Sequence, residues 1–180
     1  MRKPIIAGNW KMFKTPSEAA LLAEDLKALG SMTGSIDIVV CPPFTALERV
    51  VTVLSGTGIG VGAQDVFWED SGAFTGEIAP AMLKDVGCGY VIIGHSERRQ
   101  YFGETDEQVN RKIKAVLRHG LVPIMCVGET LQERETGQTM QVLNKQVVTG
   151  LAGLNGHDVG GMVISYEPVW AIGTGKKASD

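Results

Sequence analysis

The chain has 180 residues, 44% hydrophobic and 21% charged, which is the size and apolar content of one globular domain of the soluble type. A formal net charge of −3 with no block of like charges argues against nucleic acid or an acidic surface as a partner. No apolar run reaches membrane-spanning length, and Ile5-Ile6-Ala7 after the basic Met1-Arg2-Lys3 is too short for a signal peptide, so a cytoplasmic protein with no membrane partner is expected.

Pro4 to Asn9 reads as a first strand, short and continuously apolar, as for a strand covered on both faces of a parallel sheet. Thr15 and Glu18 form a capping box with Pro16 at the first helical position; Leu22, Leu26 and Leu29 mark the apolar face and Gly30 the end. Ile36 to Cys41 is a second strand, closed by Pro42-Pro43. Thr45 and Glu48 spell another capping box, opening a helix through about Leu54. Ile59 to Ala63 is a third strand, followed by a turn-rich loop from Asp65 to about Ala79. A short helix runs from near Pro80 to Gly87, and Tyr90 to Ile93 is the fourth strand. A short helix is expected from Ser96 onward and a longer one from about Thr105, carrying Val109, Ile113, Val116 and Leu117. Val122 to Val127 is the fifth strand, Met140 to Leu151 a helix with Leu143, Val147 and Leu151 on one side, and Met162 to Tyr166 a sixth, buried strand.

Strands at roughly thirty-residue spacing with helices between them predict right-handed βαβ crossovers and one parallel α/β domain over residues 1–180. Two parallel architectures, a doubly wound sheet and a barrel, fit this alternation. The first strand is followed by Gly8-Asn9-Trp10-Lys11, which lacks the dinucleotide glycine pattern. Gly173-Thr174-Gly175-Lys176 is not a P-loop, because Trp170 and Lys177 stand where that motif needs Gly and Ser or Thr. Cys41, Cys88 and Cys126 lie in or beside apolar runs without metal-like spacing, so buried, reduced thiols are expected. His119 and His157 read as surface residues. No histidine pair has ligand spacing, and neither a metal nor a cofactor is expected.

Chemistry collects where sites of parallel sheets are built, at the C-terminal ends of the strands. Strand one ends in Asn9 and Lys11, strand four in His95 and Glu97, strand six in Glu167. Singly, each has an ordinary reading: a solvated loop lysine, an asparagine satisfying turn backbone, a histidine at a helix start, an acid after a strand. Together at one rim they suit proton transfer beside a carbonyl, with Glu167 as base and Lys11, His95 and Asn9 stabilising an enediolate. Pro168 ends the strand, and Gly173 and Gly175 beyond Trp170 give the next segment the composition of a hinged lid.

Asn9-Trp10-Lys11, Gly62 to Asp65, Gly72 to Glu77, Ile92 to Arg99, Cys126 to Glu129 and Tyr166 to Lys176 resemble the triosephosphate isomerase family in unbroken order. The resemblance implies that Glu167 shuttles the proton, His95 polarises the substrate oxygens, Lys11 supplies positive charge, Asn9 contacts the reacting oxygens and Glu97 supports the site. It also implies a phosphorylated triose as substrate and a lid formed by Pro168, Val169, Trp170, Ala171, Ile172, Gly173, Thr174, Gly175 and Lys176, with the Gly173 N–H on the phosphate. A homodimer or higher homo-oligomer is implied through a loop at Phe74, Thr75 and Gly76. The family barrel has eight strands in about 250 residues. The expectation here is a partial (β/α) barrel of about six strands, lacking strands seven and eight and the phosphate-gripping loops after them. Apolar interior side chains would then be exposed at the edges of strands one and six. Two functions follow: the isomerase itself, or a self-associating fragment with little or no turnover.

Overall fold

The computed structural model describes residues 3–32 and 34–171. Among these residues six parallel strands form one sheet in chain order: β1 (Ile5–Asn9), β2 (Asp37–Cys41), β3 (Gly60–Ala63), β4 (Tyr90–Ile93), β5 (Val122–Val127) and β6 (Val163–Tyr166). Eight α-helices accompany them: α1 (Pro16–Leu26), α2 (Leu47–Leu54), α3 (Pro80–Val86), α4 (Ser96–Phe102), α5 (Asp106–Arg118), α6 (Leu131–Glu135), α7 (Thr139–Gly150) and α8 (Gly156–Gly160). This is a half-barrel of the (β/α) type. Each strand pairs with its sequence neighbours, so every crossover returns beside the strand it left.

Side chains alternate across the strands and divide the core in two. Ile38, Val40, Val91, Ile93, Met125 and Val127 face the helices, packing with Ala19, Ala23, Val50, Leu83, Ile113 and Val116. Val39, Cys41, Ile92, Ile124 and Cys126 form a second cluster on the concave face, flanked by Ile5, Tyr90 and Val163. All three cysteines are free and buried. Burial pushes the thiol of Cys41 up to about 12 and that of Cys88 up to about 11, so both remain uncharged.

Several local expectations are corrected. The burial of β1 and β6 on both faces does not hold: Ile6 is 60% exposed and Ile164 45%. They stand in register with Ile38 and Met125, whose side chains belong to the helix-facing layer, so these two bare side chains point outward; on the inner face Ala7, in register with Val39, is exposed as expected of an open edge. The concave-face residues Ile5 and Val163 are half-buried instead, because Tyr90 and the inner cluster reach them. In α1 the fully buried residues are Ala19 and Ala23, with Leu22 and Leu26 at the margin, and Leu29 is exposed. Small residues let α1 lie close to its neighbours. The chain also does not stop at Gly30 but runs on as a 3₁₀ turn over Lys27–Met32. Gly30 is needed there because a Cβ would meet the Thr57 carbonyl oxygen at 2.7 Å. The capping box at Thr45 is absent: a 3₁₀ turn over Phe44–Ala46 has already begun, so Thr45 lies inside the turn and α2 starts after Ala46. The box at Thr15 is present as read, with both reciprocal bonds. The helices α6 and α8 were not anticipated; each is a single capped turn, opened by Thr130 and Asn155.

Candidate active site

The site starts from backbone. Because the strands are parallel and in sequential register, their C-terminal ends share one rim, carrying Asn9, Gly94-His95, Gly128-Glu129 and Glu167. Lys11 sits just past β1 with φ +52, a left-handed conformation that an L side chain adopts at a cost. Its neighbours hold it there. The Lys11 N–H donates to Asn9 Oδ1 at 2.9 Å, and Gln64 Nε2 donates to the carbonyls of Lys11 (2.9 Å) and Cys41 (2.8 Å). The side chain of Asn9 thus satisfies turn backbone, and through that turn it positions the lysine. Lys11 Nζ reaches Glu97 Oε1 at 2.7 Å, a bridge between residues 86 apart in sequence.

His95 is buried at the N-cap of α4, where Nδ1 accepts a hydrogen bond from the Glu97 N–H at 3.2 Å. A nitrogen that accepts carries no proton. This bond therefore assigns a neutral imidazole with its proton on Nε2, directed toward the carboxylate of Glu167 just after β6. Nε2 lies 3.5 Å from Glu167 Oε1, and Oε2 is 3.5 Å from the Ser96 N–H. The Cys126 thiol donates to Glu167 Oε1 at 3.3 Å. Burial first, and then the charge of Glu167, drive the Cys126 pKa far upward, so the sulfur stays protonated and remains a donor.

Behind Glu167 the end of β5 acts as a rail. Glu167 N–H donates to the Val127 carbonyl at 2.8 Å and Val169 N–H to the Glu129 carbonyl at 3.2 Å. Between them Gly128 lies so close that a Cβ would run into the Glu167 carbonyl oxygen. Glu129, fully buried, accepts from the Tyr166 hydroxyl (3.0 Å), the Trp170 indole N–H (3.0 Å) and Arg134 (3.3 Å). Arg134 also stacks over the Trp170 ring at 4.4 Å. Of the lid, Pro168 to Ala171 is described, with a 3₁₀ turn at Val169–Ala171 fastened to the sheet through Trp170. Ile172, Gly173, Thr174, Gly175 and Lys176 lie outside the described residues.

The burial of Glu129 would raise its pKa, but bonds from its own N–H, Trp170, Tyr166 and Arg134 outweigh this and hold it below the ordinary 4.5. A depressed carboxylate stabilises the fold above its unfolded value and loses that contribution as pH falls through the folded value. The melting temperature of the native chain should therefore exceed that of Glu129→Gln at neutral pH, and the gap should close below pH 4.5. A gap that stays constant down the acid limb would show that the charge of Glu129 contributes nothing.

A set of alternating charges backs α4, with Asp65, Glu104 and Lys112 buried and Arg98 half-buried at its edge. Lys112 Nζ contacts Asp65 Oδ1 at 2.7 Å and Glu104 Oε1 at 3.1 Å, the latter off hydrogen-bonding geometry. Arg98 contacts Asp65 Oδ2 at 3.0 Å and Glu104 Oε2 at 2.9 Å. The loop of Phe74, Thr75 and Gly76 stands apart. It closes on itself through Glu77 N–H to the Phe74 carbonyl, with Phe74 packed on Phe67 and Gly76 at φ +94. Sequence reading missed Gln64, Cys126 as a donor, Glu129, Gln146 and the Asp65–Lys112 set. Cys126-Val127-Gly128-Glu129 held the available signal, since it ends the strand that pairs with the one carrying Glu167. Among the described residues no helix is long and apolar enough to cross a membrane.

The model of the family described as triosephosphate isomerase matches residues 4–180. The chain belongs to the triosephosphate isomerase family. It is 60% identical over 180 residues to the triosephosphate isomerase of Citrifermentans bemidjiense, covering all of this chain and 72% of that protein. It is 59% identical over 179 residues to that of Moorella thermoacetica, with 99% and 72% covered. A crystal structure of triosephosphate isomerase from Bartonella henselae superposes with a TM-score of 0.85 at 40% identity, covering 94% of this chain and 69% of that one. The half-barrel thus corresponds to roughly the share of a triosephosphate isomerase that the aligned lengths give. The Glu167, His95 and Lys11 cluster lies within the part this chain has in common with its relatives.

Proposed function

We propose that this chain interconverts dihydroxyacetone phosphate and D-glyceraldehyde 3-phosphate by proton transfer through an enediolate. The observation that carries the proposal is the convergence of Glu167 Oε1 and His95 Nε2, 3.5 Å apart at the rim, with an imidazole whose other nitrogen already accepts a bond. A carboxylate and a neutral donor facing one small space suit removal of a carbon-bound proton while the adjacent oxygen gains charge. Glu167 is the base. His95 donates to the substrate oxygens, Lys11 offsets their charge, Asn9 holds the Lys11 turn and meets the substrate, and Glu97 holds Lys11. The Gly173 N–H binds the phosphate when Pro168 to Lys176 close, and the Phe74-Thr75-Gly76 loop joins two copies in the cytoplasm. Incubating the chain with dihydroxyacetone phosphate in D₂O tests this: aldehyde product carrying deuterium at the carbon beside the carbonyl is expected. Interconversion no faster than in buffer would reject the reading.

One observation favours a second reading, a self-associating fragment with little turnover. Ile6 and Ile164 are bare on the two edge strands, and such edges invite pairing between chains. Sedimentation velocity separates the two. A dimer that interconverts the trioses fits the first reading, and polydisperse, inactive assemblies fit the second.

A further inference from the structure

We propose that Gln146 is a positioning residue for the catalytic base, acting through the backbone of Gly128. This rests on Glu167 being that base, and it names what fixes the base in place. Gln146 lies on α7, on the far side of β5 from the substrate space, and it is only 9% exposed. Its amide engages one residue at both ends: Oε1 accepts from Gly128 N–H at 2.9 Å and Nε2 donates to the Gly128 carbonyl at 3.1 Å. That pair of bonds closes a ring on a single peptide segment and sets its position and its rotation about the strand axis.

Gly128 is the residue whose rotation matters most. It is flanked by the two carbonyls, Val127 and Glu129, that receive the N–H groups of Glu167 and Val169, and its α-carbon faces the Glu167 carbonyl with no room for a side chain. Tilting the Gly128 peptide would move both acceptors together. The base and the first residues of the lid would then shift as one body.

The helix is placed so that the amide reaches. Gly150, one turn beyond Gln146 and on the same face, lies against Met125 of β5 so tightly that a Cβ would strike the methionine's methyl group. The turn after it is pinned to α5 by Asn110 Nδ2, which donates to the carbonyls of Gly150 (2.9 Å) and Ala152 (3.0 Å). Close approach at Gly150 brings α7 within side-chain length of the end of β5, and Gln146 spans the remaining gap. A glutamine with no role beyond packing would not need both ends of its amide on one backbone segment.

Gln146→Met keeps the length and burial of the side chain and removes both bonds; Gln146→Glu keeps the acceptor for the Gly128 N–H. For Gln146→Met, kcat per folded molecule should fall about ten-fold with KM within about two-fold, and Gln146→Glu should recover part of the loss. Amide exchange should quicken at Glu167 and Val169 while β4 keeps its protection. An unchanged kcat in folded Gln146→Met, or exchange that quickens evenly over the sheet, overturns the proposal. Should the unsubstituted chain not isomerise at all, the base assignment fails by itself. The exchange pattern at Glu167 and Val169 then still decides whether Gln146 sets the rail.

Discussion

Glu167→Gln is expected to lower kcat by about 10²–10⁴-fold while leaving the fold intact, the range a positioned general base supplies. The substitution keeps the shape of the side chain. The amide oxygen can still accept from the Cys126 thiol, and the backbone N–H of residue 167 still pairs with Val127. What is lost is the lone pair able to take a proton from carbon, so KM should change far less than kcat. Single-turnover rates in D₂O check this directly. Activity within ten-fold of the native chain would mean that another group removes the proton and that the closeness of His95 and Glu167 is incidental.

The second large effect falls on stability. Lys112→Met should cost about 3–5 kcal/mol, because it leaves two buried carboxylates, Asp65 and Glu104, sharing Arg98 alone. Burial already raises the Asp65 pKa above its ordinary value, with the Lys112 charge the strongest influence opposing it. Without Lys112 the rise must grow. A carboxylate raised in the folded state holds its proton there more firmly than in the unfolded chain, so stability increases as pH falls through the folded value. The variant should therefore be weakest at neutral pH and regain part of its loss on mild acidification, read as the urea midpoint across a pH series. A midpoint shift worth less than about 1 kcal/mol would place these charges in the class of weak surface pairs. Because Arg98 lies one turn into the helix that His95 caps, the same variant should also lose turnover.

Much of the barrel was legible because its signals are local. The capping box at Thr15, the glycine after α3 and the apolar runs of β4 and β5 each depend on neighbours within a few residues, and each stands where it was read. Thr45-Glu48 has the same spelling and no box, since Pro42-Pro43 had already turned the chain. Burial at the edges was not legible either. A continuous apolar strand shows that it could be covered on both faces, and the covering belongs to other elements. The site followed the same division. His95, Glu167 and Lys11 stand at strand ends, which a strand count locates. Gln64 also stands at a strand end, just after β3, but its bond to the Lys11 carbonyl spans 53 residues; Gln146 lies inside α7 and reaches Gly128 across 18, and no periodicity encodes either bond.

Sequential strand order also determines how accurately the site is built. Lys11 and Glu167 follow β1 and β6, the two edge strands among the described residues, so their separation is an arc length, accumulated over five pairings that each turn the sheet by roughly 20–25°. A few degrees of error in any one pairing displaces the ammonium from the carboxylate. Two chords span this arc: Lys11 to Glu97 at 2.7 Å, and His95 to Glu167 at 3.5 Å. Both meet on α4 and its cap, so α4 works as the hub that corrects errors from either direction. The alignment of the proposed catalytic groups thus depends also on strands that supply none of them. One of these is β3, where Gly60 and Gly62 give way to Tyr90, Val39 and the Cys41 sulfur.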